Sequence, residues 1–263
     1  MEVVKKFWSI LLIPLLLLSC NSSVSLRLDN LQCDKLHNPM GIDNVAPHFS
    51  WVLTSEEGGE KQTAYQILAA TDESLLTEEK ADLWNTGKIK EDKSVWITYQ
   101  GKKLSSKTIV YWKVRVWDKE GNVTDWSKTA SFGVGLLNPD DWKAEYIGLD
   151  AEEPQSPLLK KSFQMNDKKG RALLHVNSLG YHEVYLNGKK VGDAVLAPAV
   201  SQFNKRSLVV TYDVSEQLNS GKNDLVIWLG KGWYRNQLPG VVDGGPFVRA
   251  QLEVSYSGEN KTE

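Results

Sequence analysis

The chain is poor in the residues that build common catalytic and metal centres. Its 263 residues hold two cysteines, Cys20 and Cys33, and four histidines. Two cysteines exclude a disulfide scaffold and a cysteine zinc site. His37, His48, His175 and His182 show no His-x-x-x-His or similar ligand spacing. No Gly-x-Ser-x-Gly elbow, Walker loop or Gly-x-Gly-x-x-Gly fingerprint occurs, and Gly230-Lys231-Gly232 has too few glycines to cradle a phosphate. An excess of charge is missing too: 31 Lys and Arg stand against 33 Asp and Glu, for a formal charge of -2 and a pI near 6.1. A nucleic-acid binder needs a basic stripe to displace counterions from phosphates, so no nucleic-acid partner is expected. Strong helical periodicity is scarce. What is present is 41% hydrophobic residues with ten tryptophans and nine tyrosines. That composition buries a core and suits an all-β protein of two ordinary domains or one large one.

The long apolar run stands at the N-terminus, MEVVKKFWSILLIPLLLLSC, residues 1–20. Lys5 and Lys6 supply a positive n-region and Phe7 to Leu18 an apolar h-region. The run is too short to span a bilayer as a helix, and Pro14 interrupts it, so it reads as a secretory signal. Its end, Leu17-Leu18-Ser19-Cys20, resembles the bacterial lipobox, in which the cysteine is lipidated and becomes the new N-terminus. An ordinary signal peptide with an incidental cysteine is the alternative. The small Ser19 and the polar tether over 21–25 favour lipidation. Acyl chains on Cys20 would hold the protein at a cell-envelope membrane, in the periplasm or at the outer membrane, without a spanning helix. Cys33 is then expected as a small buried residue.

Past the tether the patterning divides into two β-rich units, 26–135 and 142–263, joined by a linker over 136–141 that contains Asn138-Pro139-Asp140-Asp141. In the first, Val110, Trp112, Val114 and Val116 share one face of a strand while Lys113 and Arg115 take the other. HFSWVL (48–53), AYQILAA (64–70) and VWITY (95–99) are further strands, and Asp72 is expected to cap a short helix over 72–82. Several short strands over this length suit an immunoglobulin-like sandwich. Trp112, Trp117 and Trp126 read as core and edge packing. In the second unit, Tyr181–Leu186, Asn187-Gly188 and Lys189–Val191 form a hairpin signature with a type I′ turn. ALLHVN (172–177), SLVVTYDV (207–214) and DLVIWLG (224–230) follow the same pattern. Ala250, Leu252, Val254 and Tyr256 alternate with Arg249, Gln251, Glu253 and Ser255 as a half-buried strand. Its return partner is expected just where the sequence stops, which would leave an open edge. The sequence therefore reads as part of a longer protein, with its second unit incomplete.

No catalytic constellation stands out. The acidic pairs Glu56-Glu57, Glu78-Glu79, Asp140-Asp141 and Glu152-Glu153 lie in polar stretches and read as solvated surface. His175 and His182 fall on neighbouring strands and could meet across a sheet; packed histidines are the simpler reading. The loop-rich stretch over 230–245 remains. Trp233 and Tyr234 offer flat apolar faces, Asn236 and Asp243 hydrogen-bonding groups, a combination that suits a sugar. Asn236 and Asp243 are also candidate oxygen ligands for calcium. A glycine-rich loop whose aromatics plug the core is the rival reading, with equal standing.

The segment from Leu179 to Tyr234 resembles the N-terminal β-sandwich of bacterial α-L-rhamnosidases, glycoside hydrolase family 78. The likeness rests on Gly180–Gly188, Val191–Asp193, Leu196–Pro198, Thr211–Val214, Gly221–Asn223 and Leu229–Tyr234. Upstream, PHFSW (47–51), LWNTGKI (83–89) and the stretch 111–127 resemble the fibronectin-type-III-like module of the same enzymes. The resemblance implies a fibronectin-III-like sandwich followed by a jelly-roll-like β-sandwich. It implies a non-catalytic accessory region of a rhamnosidase whose catalytic (α/α)6 barrel lies downstream, with no catalytic residue in this chain. It also implies a rhamnose-containing glycan as partner and Ca2+ as a possible cofactor. A stand-alone carbohydrate-binding lipoprotein and a structural spacer are the competing functions. Replacing Cys20 with Ser is expected to abolish palmitate incorporation in bacterial cells and move the protein from the membrane to the soluble fraction.

Overall fold

The computed structural model describes residues 25–149, 156–166, 170–234, 238–241, 244–256 and 259–262. Cys20, the expected lipidation site, lies outside them. Two β-sandwiches follow one another along the chain. The first contains β1 (Arg27–Cys33), β2 (Met40–Ile42), β3 (His48–Thr54), β4 (Ala64–Ala70), β5 (Trp84–Asn85), β6 (Ile97–Thr98), β7 (Ile109–Trp117) and β8 (Ala130–Val134). A three-stranded sheet in the order β1-β3-β6 faces a five-stranded one in the order β2-β8-β7-β4-β5. The alternation along β7 holds: Val110, Trp112, Val114 and Val116 are fully buried. Trp112 stacks on Phe49 of the opposite sheet, centroids 4.3 Å apart, so this pair closes the core between the layers. On the outer face Arg115 lies over Trp117 and Trp126, at 5.4 and 4.5 Å from their centroids. Cys33 is buried and unpaired, and burial pushes its thiol pKa up.

The helix expected over 72–82 does not form. Asp72 does cap, its Oδ1 accepting from the Ser74 amide at 2.9 Å, but only a single 3-10 turn follows at Glu73–Leu75. The reason lies in the spacing of apolar residues. Leu75 and Leu76 are adjacent rather than one helical turn apart, and only Leu76 is buried. A cap signal without an apolar stripe has nothing to pack.

The second sandwich contains β9 (Ile147–Gly148), β10 (Leu158–Met165), β11 (Arg171–Leu179), β12 (Tyr181–Leu186), β13 (Lys189–Lys190), β14 (Val209–Asp213), β15 (Gly221–Gly230), β16 (Phe247–Tyr256) and β17 (Glu259–Thr262). One sheet runs β10-β15-β12-β13, the other β14-β11-β16-β17 with β9 also on β16. The β12–β13 turn has Asn187 at φ 53 and Gly188 at φ 79, the left-handed pair a type I′ turn requires. The open edge expected beside β16 is closed instead, because β17 pairs with it in antiparallel register from Glu253↔Thr262 to Tyr256↔Glu259. Nor is β16 half-buried. Leu252 and Val254 face the core, yet Gln251 and Glu253 on the other face are 1% and 5% exposed.

That polar face is covered by the first sandwich and the linker. The Gln251 amide oxygen accepts from the Lys143 and Ala144 backbone amides at 2.6 and 3.3 Å. Its nitrogen donates to the Asp141 carbonyl at 2.9 Å and to Glu253 at 2.5 Å. Glu253 in turn meets Lys107 Nζ of the first sandwich at 2.8 Å. The linker is also tied at its other end, where the Ser106 hydroxyl donates to Asp141 and accepts from the Leu137 amide. Beside this polar set β2 lies against β14 so closely that a Cβ on Gly41, at φ +83, would stand 2.2 Å from Thr211 Oγ1. Gly41→Ala is therefore expected to destabilise the chain by about 1–3 kcal/mol in calorimetric unfolding. Adding Thr211→Gly, which opens the space, should recover part of that stability.

Candidate functional site

The loop that leaves β15 crosses the end of the second sandwich. Tyr181 and Gly230 are register partners there. Gly232 passes so close to the Tyr181 ring that a Cβ would approach it to 2.6 Å, and its φ of +48 adds a second reason for glycine. The two aromatics that follow part company. Trp233 is 57% exposed, while Tyr234 is 1% exposed. The Tyr234 ring is held edge-on by Phe203 and Phe247, with centroids at 5.2 and 6.2 Å. Tyr234 thus packs into the core, and Trp233 is the ring of the pair that meets solvent. Asn236 and Asp243 lie outside the described residues.

The crevice between Trp233, Tyr234 and the Pro198–Phe203 segment has an internal volume of about 10 Å³, room for one water. A sugar ring does not enter it and would have to lie on the exposed face of Trp233. Val195, Leu196 and Val200 lie exposed in the segment beside it, so the surroundings are apolar. Ser178 and His182 sit beneath: the Ser178 hydroxyl lies 2.7 Å from His182 Nδ1, and His182 Nε2 lies 3.0 Å from the Tyr212 hydroxyl. The His182 backbone amide donates to the Ala197 carbonyl at 2.7 Å and so pins the apolar segment to β12. Sequence alone does not reveal this set, because the bonds that tie His182 to Tyr212 and Ala197 reach other segments of the chain.

His182 and His175 do not meet, since β12 and β11 belong to opposite sheets. Both are buried, as packed histidines. His175 Nδ1 lies 2.9 Å from Thr211 Oγ1, and its Nε2 has no hydrogen-bond partner among the described residues. Burial pulls both imidazoles down to about 4.

The acidic residues serve as surface and turn groups. Glu56 pairs with Arg27, Glu78 with Arg115, and Asp141 accepts from the Asn138 amide. Glu152-Glu153 lies outside the described residues. Among the described residues, one trio of acids comes close enough to share an ion: Glu60, Asp118 and Glu120 in the first sandwich. Lys119 Nζ sits 2.6 Å from Glu60, and both Asp118 oxygens accept from Asn122, so Glu60 and Asp118 already have partners within the protein.

Two family models match the chain: the Rha78A-like N-terminal immunoglobulin domain over residues 28–138, and the α-L-rhamnosidase N-terminal domain over residues 167–263. A curated α-L-rhamnosidase of Formosa agariphila is 34% identical over 300 aligned residues, covering 100% of this chain and 32% of that protein. The solved α-L-rhamnosidase from Dictyoglumus thermophilum is 32% identical with a TM-score of 0.78, over 90% of this chain and 28% of that one. The Aspergillus terreus enzyme gives 25% identity and a TM-score of 0.74 over the same shares. The chain thus spans about a third of the length of its relatives.

The two buried histidines generate a pH dependence. An unfolded chain protonates them from about 6.5 downward, the folded one only near 4. Their neutral forms therefore contribute stability that is complete above pH 6.5 and lost as pH falls toward 4. The thermal midpoint should drop between about pH 7 and about pH 4.5. His182→Gln should flatten that slope by about 1.4 kcal/mol per pH unit, one proton's worth.

Proposed function

The two modules of this chain belong to the N-terminal region of the family 78 α-L-rhamnosidases, and from that premise we propose that it is the non-catalytic accessory part of an enzyme removing terminal α-L-rhamnose from glycans. The observation that carries the reading is the pair of family matches in sequence, with the two-sandwich arrangement shared at a TM-score of 0.78 with a rhamnosidase. Hydrolysis is assigned to the part of such enzymes that this chain does not span. The accessory region positions that part and contributes a sugar contact of its own at Trp233. The exposed Trp233 indole offers a flat surface for C–H groups, and Asn236, three positions on in the sequence, is of the residue type that meets hydroxyls with a planar amide. Lipidation at Cys20 would place the enzyme on the cell envelope, where polymeric glycans are met outside the cytoplasm.

The test is calorimetric titration of L-rhamnose into the protein, first with calcium and then with chelator, repeated with Trp233→Ala. Saturable heat is expected, weakened about tenfold or more in the variant. Heat that vanishes with chelator would assign calcium a part in the site; no heat in either condition would remove the sugar contact and leave a scaffold. Turnover of p-nitrophenyl α-L-rhamnoside by this chain would overturn the non-catalytic assignment.

A further inference from the structure

The first sandwich contains a groove of about 470 Å³ between the β5 and β6 edges, open to solvent on one side. That volume lies within the range of small-ligand pockets, about 300–1,000 Å³. Tyr65, Trp84 and Ile97 contribute its apolar lining, and Glu91, Lys93 and Gln100 its polar lining.

Three features set it apart from an ordinary surface depression. The Tyr65 side chain borders the groove although the residue is only 6% exposed, and its hydroxyl has no hydrogen-bond partner among the described residues. Nearby, Trp51 Nε1 donates to Gln62 Oε1 at 3.0 Å. A hydroxyl on a largely buried ring, without a protein partner, is open to a hydrogen bond from a ligand in the groove. The second feature is a fixed wall. Gln62 Nε2 donates to the carbonyls of both Glu91 and Lys93, at 3.2 and 2.9 Å, and so holds the backbone that carries these two side chains. The third is an unspent pair of opposite charges. Among the described residues neither Glu91 nor Lys93 takes part in an ion pair, so a carboxylate acceptor and an ammonium donor stand ready on one wall. Burial, then the charge of Glu91, holds the Tyr65 phenol above its ordinary pKa, so it stays protonated and can both donate and accept.

We infer that this groove binds a short neutral oligosaccharide. The lining has no net charge to attract a phosphate or a charged peptide, and too many polar groups for an apolar ligand. A carboxylate, an ammonium, an amide and a phenol match vicinal hydroxyls, which donate and accept at once. The half-buried Trp84 indole, set edge-on to Tyr99 at 5.2 Å, supplies the apolar surface for C–H groups. The size suits about two or three sugar rings. The inference does not rest on the function proposed for the second sandwich, and its site is elsewhere on the molecule.

The ten tryptophans provide the readout. In 15N-labelled protein the Trp84 and Trp233 indole N–H signals are assigned with Trp84→Phe and Trp233→Phe. Cellotetraose, maltotetraose, a mannotetraose and a rhamnotriose are then titrated separately. A saturable shift of the Trp84 signal with at least one of them is expected. Tyr65→Phe and Glu91→Gln should each weaken that binding about 3–10-fold, the effect of one hydrogen bond, without changing the thermal midpoint by more than a few degrees. Absence of any Trp84 shift at about 10 mM sugar, far above the affinity of a working site, would overturn the proposal. So would shifts confined to Trp233, which would support the second-sandwich contact alone.

Discussion

The arrangement of the two sandwiches depends on one buried amide. Gln251 fills all of its hydrogen-bonding capacity at the join: two backbone amides on its oxygen, a carbonyl and a carboxylate on its nitrogen. An amide in that position is stable only while the linker stays wrapped over β16. If the linker lifts away, each buried polar group left unpaired costs roughly 1–3 kcal/mol. Lys107 and Glu253 extend the same logic into the first sandwich. Arg249 adds to it by lying over Trp142 and Tyr146, at 4.1 and 4.8 Å. Three alternate positions of one strand therefore hold Lys107 of the first sandwich, the linker's Asp141 and the residues just past the linker.

The same constraint separates what is legible in the sequence from what is not. β7 and the β12–β13 hairpin can be read because their determinants are local: a two-residue alternation facing one core, and an Asn-Gly turn. β4 is readable although all its residues are buried, since its hydrophobic run has strand length. β1 escapes, because a register shift between Asp29 and Gln32 breaks its alternation. β16 is recognisable as a strand, but its burial is not. Gln, Glu and Arg on one face signify solvent unless something covers them, and the cover comes from residues 107–146, roughly a hundred positions earlier. No local pattern carries that information.

The candidate loop shows the same limit at the scale of two residues. Trp233-Tyr234 reads equally as a sugar platform and as a core plug, yet adjacent side chains diverge, and here one closes the core and the other meets solvent. The composition of the loop is readable; the division of work within it is not, because Phe203 and Phe247 decide which ring is captured. The Tyr65 groove is invisible for a related reason. Its lining comes from segments across 65–100 that become a wall only when Gln62 reaches the carbonyls of Glu91 and Lys93.

A rigid join has a consequence for any accessory region that touches a polymer at more than one point. Domains on a flexible tether sample many separations, and the effective concentration of the second contact falls steeply with that freedom. Tied linker ends and a glycine pressed against Thr211 remove it. Were both proposed surfaces to hold sugar, the two sandwiches would present them at one fixed spacing, so a chain of matching geometry would gain avidity and a mismatched one none. Selectivity for glycan shape would arise in that case from the Gln251 join, although Gln251 itself touches no sugar. Individually weak contacts suffice for such a device, because the geometry between them supplies the discrimination.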